Sequence, residues 1–179
     1  QYLYTPPFIQ QLGFIGNNEL VTEKVIAAIF EVVKYGSVNL NFSNINFNAL
    51  QQCKVHNNYV IDLNQNYQQI KAKYKKSIDY SLSKASKQNL RYSIETSFEN
   101  SIKNYQKHNQ QALQHVGLVD YNNLGKLLSV LQQEEKVIVR KVVNDKSEIL
   151  SIAVLLKDNK RFYNIINYTN NEGRQSEAN

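Results

Sequence analysis

Few side chains in this sequence have types and spacings that suit catalysis. His56, His108 and His115 are its only histidines, and no two stand three or four residues apart, the spacing that puts two metal ligands on one helical face. No metal site is expected. Cys53, the single cysteine, stands three residues before His56. A thiol and an imidazole can act as nucleophile and base, yet nothing nearby would lower the thiol pKa, so a half-buried thiol beside a surface histidine is the plainer reading. The sequence contains no G-x-S-x-G, P-loop or G-x-G-x-x-G pattern, so the usual marks of α/β-hydrolases, NTPases and dinucleotide enzymes are missing.

Two stretches could hold anions instead. Lys71, Lys73, Lys75, Lys76, Lys84 and Lys87 are interleaved with Tyr67, Tyr74 and Tyr80. That mixture can grip phosphates and stack bases, and it equally suits a solvated helix face covered by lysine stems and tyrosine rings. The last residues, "NNEGRQSEAN", follow a strand-like run with a glycine, donors and small residues, as a strand-to-helix anion loop would. On composition alone they read as a tail.

These residues need a scaffold, and the composition provides for one. The 179 residues are 42% hydrophobic, enough for one ordinary domain or two small lobes. Asn and Gln fill 40 positions, which lowers mean hydropathy without adding charge, so the chain reads as globular and not disordered. Its net charge of +6 comes from 21 basic and 15 acidic residues, a balance that favours anionic partners without forming a basic arm. One cysteine allows no internal disulfide and fits a reducing compartment. No apolar run approaches the roughly 18 residues of a membrane span, and no basic-then-apolar leader opens the sequence. A cytoplasmic protein is expected. The chain starts on Gln1 and lacks Met, so it reads as a piece of something longer.

Patterning predicts the elements. "QYLYTP" and "FIQQLGFIG" are two strand segments kinked at Pro6 and Pro7. Leu20 to Val33 repeats apolar residues at helical spacing after a cap at Asn17 or Asn18, with Gly36 as the stop. "SVNLNFSN" and "NYVIDL" read as strands, "NYQQIKAKY" and "SIDYSLSKASKQ" as helices, "LRYSIET" as a strand. Phe98, Ile102 and Tyr105 mark another helix, and Asp120 caps one carrying Leu124, Leu127, Leu128 and Leu131. "KVIVRKVV", "EILSIAVLLK" and "RFYNIINYT", joined by short polar turns, form a three-strand antiparallel meander. Helices followed by a meander predict an α+β fold with a mixed sheet flanked by helices.

"YTPPFIQQLGF", "VNLNFSN", "NYVIDLNQNYQQIKAKYKKS" and "SKASKQNL", in that order, resemble bacterial proteins of the FemAB-like group within the Gcn5-related N-acyltransferase (GNAT) superfamily. The resemblance implies a GNAT-like fold, with residues 1–63 the remainder of a first lobe and residues 64–179 a second lobe incomplete at its C-terminus. It implies an N-acyltransferase that moves an acyl or aminoacyl group from acyl-CoA, as co-substrate, or from aminoacyl-tRNA to a primary amine. By position, Gly173, Arg174, Gln175 and Ser176 would contact the donor phosphates, and Tyr4, Gln10 and Gln11 the acceptor cleft; the catalytic base is not identified. The alternative is a non-catalytic module that holds RNA or another polyanion on the lysine and tyrosine helix. A salt-sensitive interaction lost on changing Lys71, Lys75 and Lys76 would mark that alternative.

Overall fold

The computed structural model describes residues 2–9, 12, 19–33, 35–37, 54, 56–95, 97–109 and 113–179. The chain divides into two units, Gln1–Asp62 and Leu63–Asn179. In the first, strands β1 (Tyr2–Tyr4) and β2 (Tyr35–Ser37) pair in parallel and helix α1 (Glu19–Val32) lies between them in sequence. Parallel neighbours need a crossover of a dozen or more residues, which α1 supplies. Val25, Ile29 and Val33, four residues apart, form its half-buried stripe, as a helix with one covered face requires. Gly36 lies inside β2 and does not end the helix. Of the strand expected after Pro7, Phe8 lies in a turn, Ile9 in no element and Leu12 in an isolated bridge, and the rest falls outside the described residues; of "SVNLNFSN", Ser37 ends β2 and the rest also falls outside them, as do the caps at Asn17 or Asn18, Cys53, Gln10 and Gln11.

The second unit carries α2 (Tyr67–Lys71), α3 (Lys76–Ala85), β3 (Arg91–Glu95), α4 (Glu99–Asn109), α5 (Leu118–Gln133), β4 (Val137–Val143), β5 (Ile149–Lys157), β6 (Phe162–Thr169) and α6 (Asn171–Gln175). Its sheet has the order β3-β4-β5-β6 with every pair antiparallel. An α+β architecture with helices flanking an antiparallel sheet is therefore what the chain builds. The expected mixed sheet is corrected: the parallel pair and the antiparallel sheet are separate. β4, β5 and β6 are joined by the short turns at 144–148 and 158–161, which antiparallel neighbours allow, and β3 reaches β4 through α4 and α5.

Residues 58–63, read as a strand, lie outside any helix or strand, with Tyr59 89% and Val60 84% exposed. An apolar run becomes a strand only where a neighbouring strand takes its backbone hydrogen bonds. The cap of α5 also differs from the expectation: it is Gly117, and Asp120 sits three residues on, where its carboxylate accepts the Gly117 N–H at 2.8 Å. Asp120 still serves the helix start, as the reciprocal half of a capping pair near the positive end of the dipole.

Register explains which side chains are buried. Val139 is opposite Val154, and Val154 is opposite Ile166, so these three project to the same face, where each is 3% exposed or less. Phe98 and Ile102, at the start and on the first turn of α4, and Tyr121, Leu124 and Leu128 from α5 complete this core. Two irregularities break the ladders, one between Val142 and Val143 and one between Val154 and Leu155. At the second, Val154 pairs with Ile166 but Leu155 pairs with Asn164, which leaves Ile165 as the extra residue on β6. Such a bulge bends its strand and re-aims the side chains beyond it.

Candidate functional site

The C-terminal end of β6 is where separate elements bring reactive groups together. The Tyr168 ring stacks on His108, the next-to-last residue of α4, with centroids 5.0 Å apart and planes 16° from parallel. Burial raises the Tyr168 phenol above its ordinary value, and the nearby Arg174 cation pulls it back in part. A stacked imidazole and phenol, with a guanidinium close enough for its charge to act on the phenol, thus mark the point where β6 gives way to α6. On its other side β6 is the last strand of its sheet, and among the described residues no strand pairs with it there. An edge that no strand covers among the described residues can template an added strand, such as an extended, amide-bearing ligand.

α6 forms because Asn170 caps it. The Asn170 Oδ1 accepts the Gly173 N–H at 2.7 Å, and its Nδ2 donates to the Ile149 carbonyl at 3.0 Å, tying the helix start to β5. Gly173 then packs against β5: a Cβ there would lie 2.6 Å from the Leu150 carbonyl oxygen and 2.8 Å from Thr169 Cγ2. At the other end the Ala178 N–H donates to the Gly173 carbonyl at 2.8 Å across Glu177, which has φ of 59°. This left-handed cap closes the helix and leaves Ala178 5% exposed, as the Schellman arrangement requires.

Beside α6 lies an open pocket of about 330 Å³. Leu90 and Leu150 contribute apolar wall, while Asn144, Asp145, Glu172 and Gln175 supply polar groups. Asn144 is the fixed point, at 8% exposure. Its Nδ2 donates to Glu148 Oε2 at 2.7 Å and Glu172 Oε1 at 2.9 Å, and its Oδ1 accepts the Lys146 and Glu148 N–H groups. The carboxylates make this wall negative. It repels phosphate and suits an ammonium group.

The residues singled out in the sequence fall as follows. Gln175 and Ser176 line the pocket, Arg174 is exposed, and the Gly173 N–H is already taken by the Asn170 cap. Of these four, Arg174 offers a cation to a phosphate. Glu177, beside them, reaches Lys84 Nζ at 3.4 Å. Tyr4 is 64% exposed in the first unit, and Gln10 and Gln11 are outside the described residues. Among the described residues no three His, Cys, Asp or Glu side chains group as metal ligands would, and no helix is long and apolar enough to cross a membrane. Sequence reasoning passed over the pairing of His108 with Tyr168. They are 60 residues apart in sequence, on a helix and a strand whose apolar patterning says nothing of either ring meeting the other.

Compared with protein-family models, curated proteins and solved structures, the chain matches none.

Proposed function

We propose that the chain is an N-acyltransferase, one that moves an acyl or aminoacyl group from a CoA thioester or an aminoacyl ester to a primary amine. The observation that carries the reading is the end of β6, an edge that no strand covers among the described residues, where His108 stacks on Tyr168 and the Arg174 charge acts on that phenol. The class of reaction is the one that the sequence resemblance implies. The amide-bearing arm of an acyl-CoA would lie along β6 as an added strand, and the Arg174 guanidinium would meet its phosphates. The pocket carboxylates Asp145 and Glu172 would hold the amine in its ammonium form until it is delivered.

In the transfer step the free amine nitrogen attacks the carbonyl carbon of the thioester, the C–N bond forms and the C–S bond breaks. His108 is our assignment for the group that takes the amine proton, because neutral imidazole is the best proton acceptor near neutral pH. The departing sulfur is protonated to the thiol. Most of the acceleration would come from holding amine and carbonyl at attack distance.

Thiol release from a short acyl-CoA, measured with and without a panel of primary amines, tests the proposal alongside release of the aminoacyl group from a charged tRNA. The expected result is amine-dependent release that falls at least tenfold in His108→Gln, a proton acceptor being worth about 10²–10⁴-fold. The variant should keep its thermal stabilisation by CoA, which is about 2.7 kcal/mol at a hundred times Kd. If neither donor is consumed and CoA leaves the melting temperature unchanged, the proposal is wrong.

A further inference from the structure

We infer that α2, α3 and the turn after α3 form a docking face for single-stranded nucleic acid, separate from the acyl-transfer reading. Between residues 63 and 94 there are seven basic side chains and one carboxylate, Asp79. They belong to a unit with 18 basic against 11 acidic residues, while the first unit has three against four. Lys71, Lys75, Lys76 and Lys87 are exposed and form no ion pair or side-chain hydrogen bond among the described residues. Lys84, also on α3, is paired with Glu177, as Lys141 is with Glu95 and Lys136 with Glu134. Four unengaged lysines within 17 residues are a concentrated positive field.

The arrangement on α3 decides between polyanions. At about 100° per residue, Lys76, Tyr80 and Lys84 fall on one face, and Ile78, Leu82 and Ala85 on the roughly opposite one. Tyr80 is 69% exposed and Ile78 is 42% exposed. A bilayer would have to take the apolar side chains and so turn the lysines away from its headgroups. A nucleic acid strand uses a single face: lysines meet successive phosphates while an aromatic ring between them takes a base. Lys84 is paired with Glu177, so Lys76 is the unpaired cation that this face offers a phosphate. Tyr80, one turn from Lys76, is the ring in position to stack, and Tyr67 on α2, 58% exposed, is a second.

Fluorescence anisotropy of the full chain with a labelled twelve-residue uridine RNA and the matching thymidine DNA, from 30 to 300 mM salt, tests the inference. Four lysine–phosphate contacts give an expected slope of log K against log salt of about −3, at roughly −0.7 per contact on a single strand. Changing Lys71, Lys75 and Lys76 together to Gln should bring the slope near −1. Tyr80→Leu should weaken binding about tenfold with the slope unchanged, because stacking releases no counterions. A far-UV spectrum unchanged in both variants secures the comparison, since all four residues are on the surface. No binding at the lowest salt, binding indifferent to the triple change, or binding to anionic vesicles in preference to both oligonucleotides would overturn it.

Discussion

Replacing each of two glycines with alanine should move stability in opposite directions, and the structure says why. In α5, a Cβ on Gly125 would have nothing within 4 Å. Alanine there loses less backbone freedom on folding, and the substitution should stabilise the chain by about 0.5–1 kcal/mol. In α6 the same propensity gain applies to Gly173, but its Cβ would lie 2.6 Å from the Leu150 carbonyl oxygen and 3.1 Å from the Leu150 carbonyl carbon. Both are backbone atoms of β5, so no side chain can swing aside. Forcing a methyl into such a contact costs about 1–3 kcal/mol, and the Asn170 cap and the Ala178 cap are both tied to Gly173 and would shift with it. The net effect should be destabilisation by about 1–2 kcal/mol after the propensity gain is subtracted. Urea unfolding followed by far-UV circular dichroism measures both, with the unfolding slope m as the check that the same surface is exposed. If Gly173→Ala is as stable as the parent, or more so, Gly173 is not a close-packing residue and its reading as a donor contact regains ground.

Two further outcomes can be stated briefly. Lys141 and Glu95 pair on the sheet with side chains 21% and 17% exposed, and Glu95 Oε2 has no hydrogen-bond partner. Lys141→Met should therefore cost about 2–3 kcal/mol by stranding a carboxylate, and Lys141→Met with Glu95→Leu should recover most of that, read from urea midpoints. Burial first, then Tyr105 and Asp120, raises the Tyr121 phenol above the usual tyrosine value, and burial likewise raises Tyr105 and Tyr168. A raised folded value binds the proton more tightly than the unfolded chain does, so this stability is complete below pH ~10 and is lost as pH rises through that region. Urea midpoints should fall above pH ~10, less steeply in Tyr121→Phe; an equal fall in parent and variant would show that Tyr121 does not contribute.

The regular part of this fold was legible because its elements carry period and punctuation together. The three meander strands alternate or run apolar between short polar turns, and each pairs with its sequence neighbour, so no long-range information was needed. Strand 91–95 and helices 99–109 and 118–133 were equally readable from Phe98, Ile102, Leu124 and Leu128, all of which are buried. What failed depended on partners. "NYVIDL" has strand composition yet pairs with no strand among the described residues, and Asp120 acts from inside the first turn because Gly117 takes the cap position. The stacking of His108 on Tyr168 could not be read, since two residues on different elements meet only through the crossing of α4 over the sheet.

The terminal segment changes the electrostatic argument most. Glycine and arginine after a strand suggested an anion loop, but a helix of five residues whose Gly173 amide is spent on the Asn170 side chain has little left to offer an anion. Its carboxylates point the other way: Glu172 is held by Asn144 in the pocket wall, and Glu177 is drawn to Lys84. The second unit is basic overall, yet this corner is locally acidic while the excess of lysine is displayed on α2 and α3. The two regions adjoin at the end of α3, where Lys84 pairs with Glu177 and Gln88 lines the pocket, so direct contact with the free lysines, and not distance from the carboxylates, must carry the affinity for an anionic strand. Charge reversal at Glu172 should thus change nucleic-acid affinity far less at 150 mM salt than charge reversal at Lys75. If both changes altered affinity equally, net charge alone would govern binding and the distinct lysine face would have no role.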